Sequence, residues 1–333
     1  MSSTGGLLIE FALLAAVSIV ASSRFVIALE RVGARLSLSE AVLGLLAAFG
    51  ADTPEITSSI TALVHHQHSV SVSVVLGANI FNLAALLGVG AISAGRITLH
   101  RSVVVLSALP ALFVALMTLG VEHHGIGRWP AAGLLFGLLV PYILLLEAPK
   151  RMLRFARLPS AFSASIERVV KQEELDLEGA IAPTIGRPRD FSLAIGTLII
   201  VVVASVIMER VASTVGDRNH WSTFLIGGVV LAGVTSLPNA VAAIYLALHG
   251  RGAATLSTAV HSNILNVMFG LVIPALFVGV GEQSGVISNL ALWYLAMTVI
   301  ALAFAYVGRG LGRITGSIIV MTYVVFLLVM THH

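Results

Sequence analysis

Two carboxylates, four asparagines and two prolines stand in this chain where apolar residues are the rule. Asp52, Thr53, Pro54 and Glu55 interrupt one long hydrophobic stretch, and Thr235, Ser236, Pro238 and Asn239 interrupt another. Asn79 and Asn82 follow the first cluster, Asn263 and Asn266 the second. Each asparagine pair is spaced i, i+3, so both members share one face of a helix. Carboxylate, amide, hydroxyl and carbonyl oxygens suit hard cations such as Na⁺, Ca²⁺ or Mg²⁺ and do not resemble a zinc or copper site. A carboxylate in the middle of a membrane costs roughly 2.5–3.5 kcal/mol on insertion scales. No Lys or Arg lies at comparable depth, so the expected counter-charge is a bound cation or a proton. Proline removes a backbone donor and clashes with the preceding turn. Both helices are therefore expected to kink or unwind at Pro54 and Pro238, freeing carbonyl oxygens. Broken backbone of this kind is tolerated at depth only inside protein or beside a water-filled cavity.

Other polar residues have plainer readings beside the chemical ones. His65, His66 and His68 have a spacing compatible with metal or pH sensing, but fit a solvated external loop, as do His123 and His124. His261, inside the second polar region, is read either as a proton relay or as structural. Asn79 and Asn263 are expected to tie down the broken backbone of the two proline helices. Glu10, Glu40, Glu147 and Glu209 sit nearer span ends, where snorkelling or capping accounts for them.

The elements that position these residues are membrane spans. Of 333 residues, 57% are hydrophobic and only 11% charged, with a mean hydropathy of +0.99. Soluble domains carry about 25% charged residues. Ten apolar stretches of bilayer-spanning length run over 6–29, 38–64, 70–94, 100–121, 128–148, 191–212, 221–248, 253–280, 286–306 and 312–331. The first lacks the features of a signal peptide and reads as a retained helix. Absence of cysteine excludes disulfides and thiolate chemistry. The net charge of +3 sits between apolar runs, a pattern of membrane topology rather than nucleic-acid binding. No nucleotide-binding loop, His-Glu-x-x-His or nucleophile elbow is present. An enzyme is not expected, and neither is a resident cofactor.

The sequence predicts an all-α integral membrane protein, with transmembrane halves at 1–148 and 191–333 joined by a polar linker at 149–190. Part of the linker, near 160–178, fits a surface helix. The linker itself reads as a solvated connection or an ion-sensing segment. Sixteen of the 19 Lys and Arg fall at alternate connections, the linker included; Arg128, Arg210 and Arg218 are the exceptions. The bias places the linker in the cytoplasm and both termini outside, in a cell (inner) membrane. Five spans on each side of the linker give the halves opposite orientations. A constant offset of 184 then places Pro54 on Pro238, Glu55 on Asn239, Asn79 on Asn263, Ile80 on Ile264 and Asn82 on Asn266. Two inverted five-helix repeats are the usual plan of a secondary transporter.

At these residues the chain resembles the calcium/cation antiporter superfamily, the relatives of sodium/calcium exchangers. That family has in each repeat a Gly-Thr-Ser-x-Pro-acidic stretch and then a Gly-Ser-Asn-(Ile/Leu/Val)-Phe-(Asn/Asp) stretch. Here they read Gly50-Ala51-Asp52-Thr53-Pro54-Glu55 with Gly77-Ala78-Asn79-Ile80-Phe81-Asn82, and Val234-Thr235-Ser236-Leu237-Pro238-Asn239 with His261-Ser262-Asn263-Ile264-Leu265-Asn266. The resemblance implies Ca²⁺ exchange for Na⁺ or H⁺, the transported cations being the only ligands. It makes Glu55 the first of two central acids, matches Asn82, Ser236 and Ser262 to side-chain ligand positions, and matches Thr235 to the lining. Asp52, Asn239 and Asn266 complete the candidate set. The departures are a neutral Asn239 at the second acidic position, Asp52 for a serine, Ala51 for a threonine, Ala78 for a serine and His261 for a glycine. One carboxylate is lost and another gained three residues from Glu55, which leaves open proton coupling and a different cation. Alternatives from other classes are a non-transporting scaffold or cation sensor, and a passive channel. Partners are inorganic cations and the lipid bilayer.

Overall fold

The computed structural model describes residues 3–36, 40–123, 125–147, 187–279 and 285–331. The expected surface helix near 160–178, the linker up to residue 186, and His124 lie outside them. A helix occupies each apolar stretch: α1 (Thr4–Arg35), α2 (Glu40–Val64), α3 (His68–Ala94), α4 (Arg101–Glu122), α5 (Arg128–Glu147), α6 (Pro188–Arg218), α7 in two parts (Leu225–Thr235 and Leu237–Leu248), α8 (Gly252–Val278), α9 (Gly285–Val307) and α10 (Arg313–Thr331). Among the described residues, seven of these are long and apolar enough to cross a membrane, and eight if α7 is one span. Helices satisfy their backbone groups internally, as an apolar chain in lipid requires.

The apolar residues divide the helices between centre and periphery. The most apolar stretch of α3 is 89% buried, against 33% for α1 and α6 and 22% for α10. The main core gathers around α3 with side chains of α4, α8, α9 and α10, Tyr294 and Phe326 among them. The long pair α1 and α6 lies outside and packs along its length, with Leu7 against Val211 and Val215, and Phe25 and Ala28 against Ala194. At one end Arg31 pairs with Asp190 at 3.6 Å. Asp190 also accepts the Arg187 backbone N–H, capping α6 where Pro188 opens it.

The 184-residue offset recurs in the helix boundaries. Thr4 and Pro188, His68 and Gly252, and Arg101 and Gly285 each open a helix and each pair is 184 apart. α3 and α8 also loosen into π-helical turns at corresponding places, Leu83–Val89 and Asn266–Val272. A third such turn, Leu225–Leu231, begins α7. Motif analysis gave no hint of these π turns, which in helices tend to mark functional sites.

The two prolines act differently, which corrects the expectation of two breaks. α7 bends by 48° at Ser236, with Pro238 at the start of its second part, where a missing N–H costs nothing. α2 runs through Pro54 as one helix. The carbonyl that Pro54 leaves without its usual partner is that of Gly50, and the Ser22 hydroxyl of α1 donates to it at 3.2 Å. The residue 184 positions after Ser22 is Val206, which has no hydroxyl to offer.

Away from the proline helices, Arg96–Thr98 pairs antiparallel with Gly310–Gly312, joining the α3–α4 connection to the α9–α10 connection. Arg96 donates to the Gly308 carbonyl, and Leu99 N–H to that of Arg309. Gly310 has φ +130°, and a Cβ there would strike the Ile97 carbonyl.

Candidate cation site

The site forms where α2, α3, α7 and α8 bring their polar motifs together. Gly77 of α3 lies so close to Gly228 of α7 that a Cβ would fall on the Gly228 backbone. This approach carries the Asn79 and Asn82 turn into the interior. Gly50 is likewise pressed against Phe25 and Val26 of α1. Asp52, Glu55, Asn82, Ser236, Ser262 and Asn266 are fully buried, and Thr235 and Asn239 nearly so.

Four of the candidate residues form one hydrogen-bonded cluster. Asp52 Oδ1 accepts from Asn239 Nδ2 and from Ser262 Oγ, the latter at 2.6 Å. Ser262 Oγ accepts from Asn82 Nδ2 at 3.0 Å and from Asn239 Nδ2 at 3.2 Å. Glu55 and Ser236 lie near one another with no hydrogen bond between them. Asn266 joins from α8 by donating to Asn79 Oδ1 at 3.2 Å. Thr235 stands apart: its hydroxyl donates to the Leu231 carbonyl of its own helix at 2.9 Å, which leaves its lone pairs free.

Asn79 and Asn263 do not tie down α2 and α7, as their sequence position suggested. Asn79 Nδ2 donates to the Asn263 carbonyl and Asn263 Nδ2 to the Asn79 carbonyl, both at 3.1 Å. Asn82 Nδ2 donates to Asn263 Oδ1 at 3.2 Å, mirroring the bond from Asn266 to Asn79. The four amides thus close a reciprocal ring between α3 and α8 whose partners are related by the 184 offset. Buried hydroxyls that motif reading missed extend the polar interior: Ser59 donates to the Gly270 carbonyl at 2.8 Å and lies 2.8 Å from Ser71 Oγ. The available signal was the repetition of serine in apolar helices, at Ser58, Ser59, Ser71 and Ser73.

What remains unbonded defines the chemistry. Among the described residues, Asp52 Oδ2, both Glu55 oxygens, Asn82 Oδ1, Ser236 Oγ and Asn266 Oδ1 are buried without a hydrogen-bond partner. All are acceptor-capable oxygens, and five of them can only accept when the carboxylates are ionised. The ion pairs among the described residues involve Asp190 and Glu209, not Asp52 or Glu55. Unpaired buried oxygens are costly, and a hard cation satisfies several of them at once. Histidine contributes no such cluster: among the described residues no three His, Asp or Glu side chains are grouped to hold a metal. His65 instead faces the buried Glu209, 3.6 Å away, and His261 Nδ1 lies 3.0 Å from Ser257 Oγ.

Sequence comparison matches the family described as sodium/calcium exchanger protein over residues 6–146 and 191–332. The chain belongs to this family. Its relatives include the inner membrane protein YrbG of Escherichia coli, 27% identical over 292 residues and covering 84% of each chain. The sodium/calcium exchanger MaX1 of Methanosarcina acetivorans is 27% identical over 342 residues, covering 93% of this chain and 94% of its own. Among solved structures, the sodium-calcium exchanger NCX_Mj soaked with Na⁺ and Sr²⁺ superposes with a TM-score of 0.61 at 20% identity, covering 98% of this chain and 99% of that one. YfkE superposes with a TM-score of 0.64 at 16% identity, over 97% and 92% of the chains. This chain is therefore a multi-pass helical membrane protein of an exchanger family, and cation antiport is the family's business.

Proposed function

We propose that the chain is a secondary antiporter that exchanges Ca²⁺ for Na⁺ or H⁺ through the oxygen-lined site of α2, α3, α7 and α8. The carrying observation is the set of buried oxygens without partners, two carboxylates included, which among the described residues form no ion pair with a cationic side chain. Asp52 Oδ2, Glu55, Asn82, Ser236, Asn239, Ser262, Asn266 and Thr235 are the proposed ligands and lining. Ca²⁺ takes six to eight oxygen ligands and tolerates irregular geometry, which fits a mixed set of this kind. The relatives named for sodium/calcium exchange support the choice of ions.

The architecture in this reading is ten spans in two inverted halves, 1–148 and 191–333, with the 149–190 linker cytoplasmic and both termini outside, in a cell (inner) membrane. The matching helix starts and the reciprocal asparagine ring support it. Driving ion and substrate compete for the same oxygens, and the site opens alternately to each side. The peripheral pair α1 and α6 is the proposed moving element by resemblance to the family; the two helices pack along one another and contact α2 and α7.

The test is ⁴⁵Ca²⁺ uptake into proteoliposomes under an imposed Na⁺ gradient and then an imposed pH gradient. Uptake driven by one of them, and reduced about a hundredfold or more in Glu55→Gln, is the expected outcome. Normal uptake in that variant overturns the site. No uptake by folded wild-type protein under either gradient overturns the ion assignment and favours the sensor reading.

A further inference from the structure

The 184 offset relates Glu55 to Asn239 and Asp52 to Ser236. In the structure Asn239 bonds Asp52, and Glu55 and Ser236 lie near one another unbonded. The two contacts are images of one another under the offset. In one the acid stands on the later position of the motif and a hydroxyl on the earlier. In the other the acid stands on the earlier position and an amide on the later. The carboxylate that symmetry would place on α7 has its counterpart on α2, at the other end of the same contact.

We infer that Asp52 supplies the carboxylate missing at position 239, so that the site keeps two symmetry-placed acids although both are carried by α2. This rests on the cation site proposed above. Asn239 then works as a positioning residue. Its Nδ2 and the Ser262 hydroxyl both hold Asp52 Oδ1, which leaves Oδ2 as the face turned to the cation. An asparagine does this where a glutamate could not, because a second anion against Asp52 would repel it. Two carboxylates keep the complement at one divalent or two monovalent cations. A site with Glu55 alone would be matched by a single monovalent ion.

The experiment swaps the charge back. Asp52→Ser, Asn239→Glu, the double variant and Asp52→Asn are purified and checked for a single size-exclusion peak. Each is then assayed for ⁴⁵Ca²⁺ uptake and for Ca²⁺-dependent thermal stabilisation. Asp52→Ser loses uptake by about tenfold or more, and the double variant recovers to within about threefold of wild type. Asn239→Glu alone, with three acids, also falls. Asp52→Asn keeps the shape and the Oδ1 acceptor, so a purely structural Asp52 would tolerate it; the expected result is loss of Ca²⁺-dependent stabilisation. Full uptake or stabilisation in folded Asp52→Ser or Asp52→Asn overturns the inference, as does a folded double variant no better than Asp52→Ser. Failure of the site itself reads differently: Glu55→Gln would then be indistinguishable from wild type in both assays.

Discussion

At the scale of residues, the asparagine ring anchors α3 against α8. Asn79 and Asn263 each give one bond to the other's backbone and receive one from Asn266 or Asn82. Replacing either by alanine leaves an amide of the opposite helix without its acceptor and takes a second donor from a carbonyl there, at a cost of about 1–2 kcal/mol. Because the four amides share partners, the double variant is expected to lose less than the sum of the single losses, read as melting temperatures in detergent. Sequence showed that these amides matter, since four asparagines in apolar helices need partners. It did not show which partners, because spacing along a helix says nothing of the helix across from it. Thr235 makes the same point: its type fits a ligand, yet its hydroxyl proton is used on its own backbone.

At the scale of elements, helix ends were legible and helix irregularities were not. Among the described residues, the helices fall on the apolar stretches, because a long apolar run satisfies its own backbone in lipid as a helix. The Gly50 carbonyl freed by Pro54 finds its donor in Ser22, a residue of another helix, whereas position 206, the counterpart of Ser22, is a valine. Local rules for proline cannot contain that information. The π turns likewise follow from packing rather than from any residue signature. Close approach, by contrast, can be tested glycine by glycine. Gly77→Ala drives a Cβ into the backbone of Gly228 and is expected to cost several kcal/mol, about 3 or more, and to lose folded protein on size exclusion. Gly133→Ala, where a Cβ meets nothing within 4 Å among the described residues, is the control and is expected to fold as wild type.

At the scale of the whole molecule, the proposed site draws its oxygens from helices on both sides of the linker, an arrangement that favours exchange over free flow. The oxygens lie in a packed interior, with Asp52, Glu55, Asn82 and Ser262 fully buried. Release of one cation then needs another to take over its oxygens. Vesicles loaded with ⁴⁵Ca²⁺ and facing a medium free of Na⁺ and Ca²⁺, buffered more alkaline than their interior so that proton entry is opposed, should therefore retain it at any imposed voltage. Rapid voltage-driven loss would identify a channel instead. The strand pair has a different consequence, one that concerns the order in which the chain is made. Arg96–Thr98 leaves the ribosome early, and its partner Gly310–Gly312 follows more than 200 residues later. Until then the connection after α3 has an open hydrogen-bonding edge, and α3, whose most apolar stretch is 89% buried, lacks the clasp at its end. Contacts so distant in sequence form late and slowly. That clasp can therefore close only once α9 has been made: a nascent chain ending in α9 leaves the edge at Arg96–Thr98 unpaired, while a finished one covers it.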